Sequence, residues 1–142
     1  MSADDLLDQI GPALSRLRRR TPATGRDLSR NLVLNVVADA PGEMTVGGLA
    51  AEMGVAQPVA SRTVAACITE GFLRRAASQA DGRRTVLELT ELGEQERSRF
   101  AAEQRRAFED ITTEWSSEDR TRFARLLVRY TEDAGAWSRR HR

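Results

Sequence analysis

A mainly α-helical fold carrying one small β-hairpin is predicted by three observations. Apolar residues recur at three- and four-residue spacing over most of the chain. That period breaks once, where the extended run Phe72-Leu73-Arg74-Arg75-Ala76 and the alternating Thr85-Val86-Leu87-Glu88-Leu89 flank a turn at Asp81-Gly82. Just before the break, residues 45–71 read as a short helix, a glycine turn and a second helix. Together these describe a winged helix-turn-helix flanked by N- and C-terminal helices.

The elements follow in order. Leu6, Ile10, Leu14 and Leu17 form a helical stripe that ends near Arg20, before the breaker cluster Thr21-Pro22-Ala23-Thr24-Gly25. Ser29 is the expected N-cap of a second helix, apolar from Leu32 to Ala38 and closed by Pro41-Gly42. Thr45 caps a short helix with Leu49, Ala50 and Met53, and Gly54 ends it in left-handed geometry. Proline favours the first helical position, so Pro58 opens the next helix with Gln57 as its N-cap, and Gly71 terminates it. After the hairpin, Thr90 caps a long helix whose apolar side carries Leu92, Phe100, Phe108, Ile111 and Trp115. Ser116 with Asp119 resembles a capping box and opens a last helix with Phe123, Leu126, Leu127, Tyr130, Ala134 and Trp137 in one stripe. Residues 138–142 are expected to fray.

Composition narrows the function classes. The 142 residues fit one domain, large enough to fold without metal or disulfide staples. No apolar run approaches the roughly 18 residues of a membrane helix, and the acidic start lacks the basic-then-apolar order of a secretory signal. A cytoplasmic protein with no membrane partner is expected. The single cysteine, Cys67, excludes an internal disulfide and any cysteine-cluster metal site, and the single histidine, His141, lies in the tail. With no phosphate loop and no nucleophile paired to a base, no enzymatic activity, cofactor or metal is expected. The 22 basic residues are all arginine. The absence of lysine everywhere is a compositional bias, so only the placement of arginines speaks to function.

At 100° per residue, Ala60, Val64, Cys67 and Ile68 fall on one face of the second helix of the helix-turn-helix, suited to packing. The opposite face centres on Arg62, with Pro58, Ala65 and Thr69 beside it and Ser61 and Ala66 at its margins. An arginine there reaches guanine O6 and N7 in bidentate fashion, while Ser61, Gln57 and the helix N-terminus suit phosphate. The turn carries Asp81-Gly82-Arg83-Arg84, two arginines projecting as a minor-groove reader would, with Asp81 placed to hold the Arg83 side chain. Between residues 57 and 84, five arginines face two acids. An ordinary solvated helix face and hydrated hairpin remain the alternative for these residues.

Taken in order and spacing, these segments resemble the MarR family of bacterial transcriptional regulators. The resemblance rests on Thr45-Val46-Gly47-Gly48-Leu49-Ala50-Ala51-Glu52-Met53-Gly54-Val55, on Ala60-Ser61-Arg62, and on Gly71-Phe72-Leu73-Arg74-Arg75. Asp81-Gly82-Arg83-Arg84, Leu89-Thr90-Glu91-Leu92-Gly93 and Leu28-Ser29 complete it. It implies double-stranded DNA as partner, a palindromic operator, repression, and often release by a small-molecule effector or an oxidant. It also implies one winged-helix domain over residues 1–142, with a DNA-binding lobe over 29–90 and dimerisation helices over 1–20 and 91–138. Ser61 and Arg62 then sit on the recognition helix, and Asp81 and Arg83 form the wing pair. Gly47 and Gly48 weaken their helix by about 1 kcal/mol each relative to alanine. Pro58 and Val59 stand where the family has polar residues, which leaves the operator sequence open.

A homodimer is also expected from the residues alone. Leu6, Ile10, Leu14 and Leu17 at one end, and Phe123, Leu127, Tyr130 and Trp137 at the other, are more apolar surface than the small central lobe can cover. Intramolecular packing of these stripes is the alternative. Cys67 lies on the inward face and reads as a small buried hydrophobe; a bridge between two copies is excluded by recognition helices about 34 Å apart. Arg16, Arg18, Arg19 and Arg20 either frame an anionic effector or form a solvated face. A winged helix that binds protein instead of specific DNA is the competing function.

Overall fold

The computed structural model describes residues 1–19 and 25–141. It contains α1 (Ala3–Asp8), α2 (Ile10–Arg19), α3 (Gly25–Asp39), α4 (Val46–Met53), α5 (Gln57–Thr69), β1 (Leu73–Ala77), β2 (Thr85–Leu89), α6 (Glu91–Ile111) and α7 (Ser117–Arg140). The chain forms two compact units, Met1–Phe100 and Ala101–Arg142. No helix among the described residues is long and apolar enough to cross a membrane.

The core of the first unit is built where α3, α4 and α5 meet the hairpin. Val33 and Leu34 of α3, Leu49 and Ala50 of α4, Ala60, Val64 and Cys67 of α5, and Leu73 and Leu87 of the strands form one buried cluster. Each fully buried leucine or valine contributes about 1.5–3 kcal/mol, and the alanines let α4 and α5 approach closely. The strands pair antiparallel in the register Leu73↔Leu89 to Ala77↔Thr85. Met44, in the loop before α4, forms an additional bridge to Leu87, whose N–H donates to the Met44 carbonyl at 2.8 Å.

Several local expectations hold. The Thr45 hydroxyl accepts from the Gly48 N–H at 3.0 Å, and Gly54 ends α4 at φ 67°. Gly48 earns its place despite its helix cost: a Cβ there would stand 3.3 Å from the Thr45 hydroxyl and 3.2 Å from the Met44 sulfur. Thr90 caps α6 by accepting from the Gly93 N–H at 3.0 Å.

Others are corrected. The first stripe is two helices, because Pro12 lacks an N–H and its ring crowds the carbonyl of Asp8, so the helix breaks at Gln9. α1 opens with a complete capping box, Ser2 and Asp5 bonding each other's backbone. Ser29 is not an N-cap; α3 already begins at Gly25, and residues 21–24 of the breaker cluster lie outside the described residues. α5 starts one residue early, with Ala56 extended as N-cap and Gln57 and Pro58 as its first two residues. The first strand runs Leu73–Ala77, one residue later than expected. α7 continues through Arg140 instead of fraying at residue 138, and His141 stacks on Trp137 with ring centroids 4.3 Å apart; Arg142 lies outside the described residues.

In the second unit, Phe108, Trp115 and Phe123 form an aromatic cluster, with Phe108 and Phe123 stacked at 5.9 Å and Trp115 edge-on to both. Trp115 lies past the end of α6, and Ile111, expected on the apolar side, is 75% exposed. Ser116 accepts from the Asp119 N–H at 3.1 Å, but the reciprocal half of a capping box is not formed. Arg120 of α7 donates to the carbonyls of Glu109 and Thr112, satisfying the C-terminal end of α6.

The root of the hairpin is held by a compact crossing. Gly71, at φ 86°, turns the chain out of α5. Its carbonyl accepts from the Thr90 hydroxyl, and the Phe72 carbonyl accepts from the Thr90 N–H at 3.1 Å. Gly93 lies so near that a Cβ would stand 2.1 Å from the Phe72 carbonyl oxygen. Gly93→Ala is therefore expected to cost at least about 2 kcal/mol in denaturant unfolding followed by circular dichroism. Gly42→Ala, where a Cβ meets nothing within 4 Å, serves as control and should stay within about 0.5 kcal/mol of the parent. Equal stability of the two variants would show that α6 does not press on Phe72.

Candidate nucleic-acid interface

The surface expected to read DNA is built by α5 and the β1–β2 loop, both in the first unit. On α5, Ala60, Val64 and Cys67 are buried and Ile68 is partly so, as the helical period requires. Gln57, Pro58, Ser61, Arg62, Ala65, Ala66 and Thr69 are exposed. The outer face is thus small and polar around one long side chain. Its only larger apolar residue is Val59, at 41% exposure. Arg62 has no ion-pair or hydrogen-bond partner among the described residues. The N-cap Ala56 offers no side-chain acceptor, so the first turn of α5 presents its N–H end uncapped. Gln57 sits at that end, its Oε1 3.8 Å from where a Cβ of Gly47 would lie.

Inside this face, Arg30 of α3 fixes the far end of α5. Its guanidinium donates to Glu70 at 2.9 Å and to Glu96 of α6 at 2.8 Å, and lies 5.3 Å from the Phe72 ring centroid. With Arg30 only 16% and Glu96 14% exposed, these bonds are worth more than the exposed helix pairs such as Arg122–Glu118. Glu96 also accepts from Arg99; the Arg99 bond and the neighbouring positive charges hold its carboxyl below the usual range. An open cavity of about 380 Å³ lies against α5, lined by Ser29, Arg30, Arg62, Thr63, Ala66, Cys67 and Glu70. Burial pushes the Cys67 thiol up to about 11, with Glu70 adding to the rise and Arg30 opposing it. A buried, protonated thiol is a poor nucleophile toward oxidants.

The wing is the loop between β1 and β2. The Arg84 N–H donates to the Asp81 carbonyl at 2.9 Å, and the Ser78 N–H to the Arg84 carbonyl at 2.9 Å. Asp81 does not hold the Arg83 guanidinium as expected; its carboxylate accepts from the Arg83 backbone N–H at 3.1 Å, shaping the turn. Arg83 and Arg84 are exposed, and neither forms an ion pair with a described carboxylate. Arg75 on β1 is likewise unpaired, whereas Arg74 is paired across the strands with Glu88 at 2.8 Å.

One residue bonded to the wing carries no signal in the sequence. Glu43, in the loop before α4, accepts at Oε1 from the Ser78 hydroxyl (2.9 Å) and the Ala80 N–H (3.3 Å), and at Oε2 from the Gln79 N–H (3.1 Å). The Ser78 bond above all, then the two N–H groups and the charge of Arg84, hold its carboxyl below the usual range against its desolvation. Nothing local marks Glu43, since its partners lie 35–37 residues away.

The residues expected at a dimer interface are solvent-facing in the single chain: Leu6, Ile10, Leu14 and Leu17 in the first unit, Phe123, Leu127, Tyr130 and Trp137 in the second, all at least 41% exposed. Arg16, Arg18 and Arg19 are exposed at the end of α2, and Arg20 lies outside the described residues.

Comparison with known proteins places this geometry. A MarR family model matches residues 24–84, from the start of α3 through the wing. An uncharacterized HTH-type transcriptional regulator of Mycobacterium bovis is 33% identical over 91 residues, which span 64% of this chain and 63% of that protein. The match therefore covers less than two thirds of that relative's length. A MarR family protein from Bacillus stearothermophilus shares the fold with a TM-score of 0.65 at 20% identity, over 93% of this chain and 92% of its own. The PcaV transcriptional regulator of Streptomyces coelicolor, solved with its natural ligand, gives a TM-score of 0.58 at 22% identity, over 94% and 99%. At these identities the solved structures establish the winged-helix architecture, and the family model matches only the segment from α3 through the wing. From α3 through the wing the chain is similar to the MarR family, and its fold is that of MarR winged-helix structures.

Proposed function

We propose that this protein is a homodimeric transcriptional repressor that binds a palindromic operator and is released from it by a small molecule. The observation that carries the reading is the grouping of unpaired arginines on one lobe: Arg62 on a small-residue helix face, and Arg83 and Arg84 at the tip of the adjoining wing. Other arginines are already bonded within the protein, as Arg30, Arg74, Arg97, Arg105, Arg120 and Arg122 are. Those left exposed are available to an anionic partner, and a helix flanked by a hairpin matches a major groove and its neighbouring minor groove. Gln57, Pro58, Ser61 and Thr69 line the same exposed face, with Ser61 and Gln57 suited to phosphate.

Dimerisation is supported by the uncovered apolar stripes on α1, α2 and α7. Two lobes related by a twofold axis would read half-sites about 34 Å apart. Release by a small molecule is supported by PcaV, whose structure contains its natural ligand. The cavity beside Arg62 gives such a molecule a place from which to compete with DNA for that side chain. The raised Cys67 thiol weighs against an oxidant as the signal.

Fluorescence titration with a palindromic duplex from the intergenic DNA beside the gene tests the reading. One dimer per duplex, resistance to competitor and a steep loss of affinity with salt are expected. Arg62→Ala should cost about 1–3 kcal/mol and relax sequence preference, whereas Arg83→Ala should weaken all sequences alike. Binding no tighter than to random DNA, across a genome-wide search for bound sites, would favour a protein-binding winged helix. The dimer is checked separately: Leu127→Asp, placing a charge on the α7 stripe, is expected to shift the sedimentation mass to that of a monomer. An unshifted mass would move the interface elsewhere.

A further inference from the structure

We propose that Glu43, which lies on neither the recognition helix nor the wing, sets the direction in which the wing presents Arg83 and Arg84, and is thereby a positioning residue for DNA binding. The inference rests on the DNA-binding reading above. The wing loop has bonds of its own, from Arg84 to Asp81, from Arg83 to Asp81 and from Ser78 to Arg84, but all of these lie within the loop. They give the tip its shape and leave its direction open. Among the described residues, every hydrogen bond that ties this loop to another segment ends on the Glu43 carboxylate.

That carboxylate is rooted in the helix-turn-helix. Glu43 is followed by Met44, whose carbonyl holds Leu87 of β2, and by Thr45, the N-cap of α4. The wing is thus referenced to the same turn that starts the α4–α5 pair. Ser78 relays the reference further, its hydroxyl donating to Glu43 while accepting from the Ala80 N–H at 3.1 Å and the Asp81 N–H at 3.0 Å. Four successive residues are therefore oriented from one carboxylate, and the fourth, Asp81, shapes the turn that bears the arginines. A two-stranded ribbon twists and bends easily, so a tie near its tip has long leverage on where the arginines arrive.

Removing this tie frees the N–H groups of exposed Gln79 and Ala80 and the hydroxyl of buried Ser78, which water reaches through the space that the exposed Glu43 side chain vacates. The fold then survives and the loss falls on DNA binding. The experiment is a double-mutant cycle of duplex affinities for the parent, Glu43→Ala, the pair Arg83→Ala/Arg84→Ala, and all three together. Glu43→Ala is expected to bind about tenfold more weakly with an unchanged thermal midpoint, and to cost under about twofold where the wing arginines are absent. Glu43→Gln, which keeps one acceptor oxygen, should fall between. Amide exchange at Gln79 and Ala80 in the free protein should accelerate in Glu43→Ala. A full tenfold cost without the wing arginines, or unchanged exchange at both amides, would overturn the inference. A parent that prefers its duplex alongside a Glu43→Ala chain that matches it overturns this inference alone; a parent that prefers no duplex overturns the DNA reading and the wing's role with it.

Discussion

The first unit depends on the crossing of Thr90 and Gly93 over the Gly71–Phe72 turn. It joins the exit of α5, both roots of the hairpin and the start of α6 within a few residues. Thr90 alone bonds to the carbonyls of Gly71 and Phe72 and caps the following helix. Gly93 is what allows these three elements to close on one another, since no side chain fits between α6 and the Phe72 carbonyl. Arg30 braces the same place from the other side, through Glu70, Glu96 and the Phe72 ring. Helix and wing are consequently held as one body, as the proposed two-point grip on a duplex requires.

The electrostatic logic follows from how the arginines are divided. In a chain with no lysine, every positive charge comes with a rigid, five-donor fork that must be satisfied or exposed. Arg30 and Arg120 use theirs on structure, bracing the end of α5 and closing the C-terminal end of α6. Arg105 and Arg122 are tied to acids one turn along their own helices and solvate the surface. Among the described residues from α3 to β2, the arginines whose side chains make no hydrogen bond or ion pair are Arg62, Arg75, Arg83 and Arg84. A net charge of +1 conceals this, because acids elsewhere in the chain offset these arginines in the total.

The parts of this arrangement that sequence reading could reach are those governed by neighbours. Thr45, Gly54, Gly71, the cap that Thr90 gives Gly93 and the alternation of residues 85–89 act within four residues of themselves, and the helix period alone separates Ala60, Val64 and Cys67 from Arg62. The misplacements have equally local causes, such as the overlooked ring of Pro12. Beyond reach were the contacts that join distant segments. The Met44–Leu87 bridge, the Arg30 brace and the Glu43 tie each link residues tens of positions apart, and no spacing in the chain announces them. Asp81 shows the boundary: its importance to the turn was legible, but whether it would hold a side chain or a backbone N–H depended on the loop's final path.

The span of the Glu43 tie also has a kinetic meaning. Its hydrogen bonds close a loop of 35–37 residues, which encloses α4, α5 and β1. Closing that loop loses chain entropy before the bonds can return anything, so it becomes favourable only once the intervening helices have packed. The wing should accordingly be the last part of the lobe to acquire order during folding. By the same balance it is the first to open in native fluctuations, as a small subglobal unit above a core that stays closed.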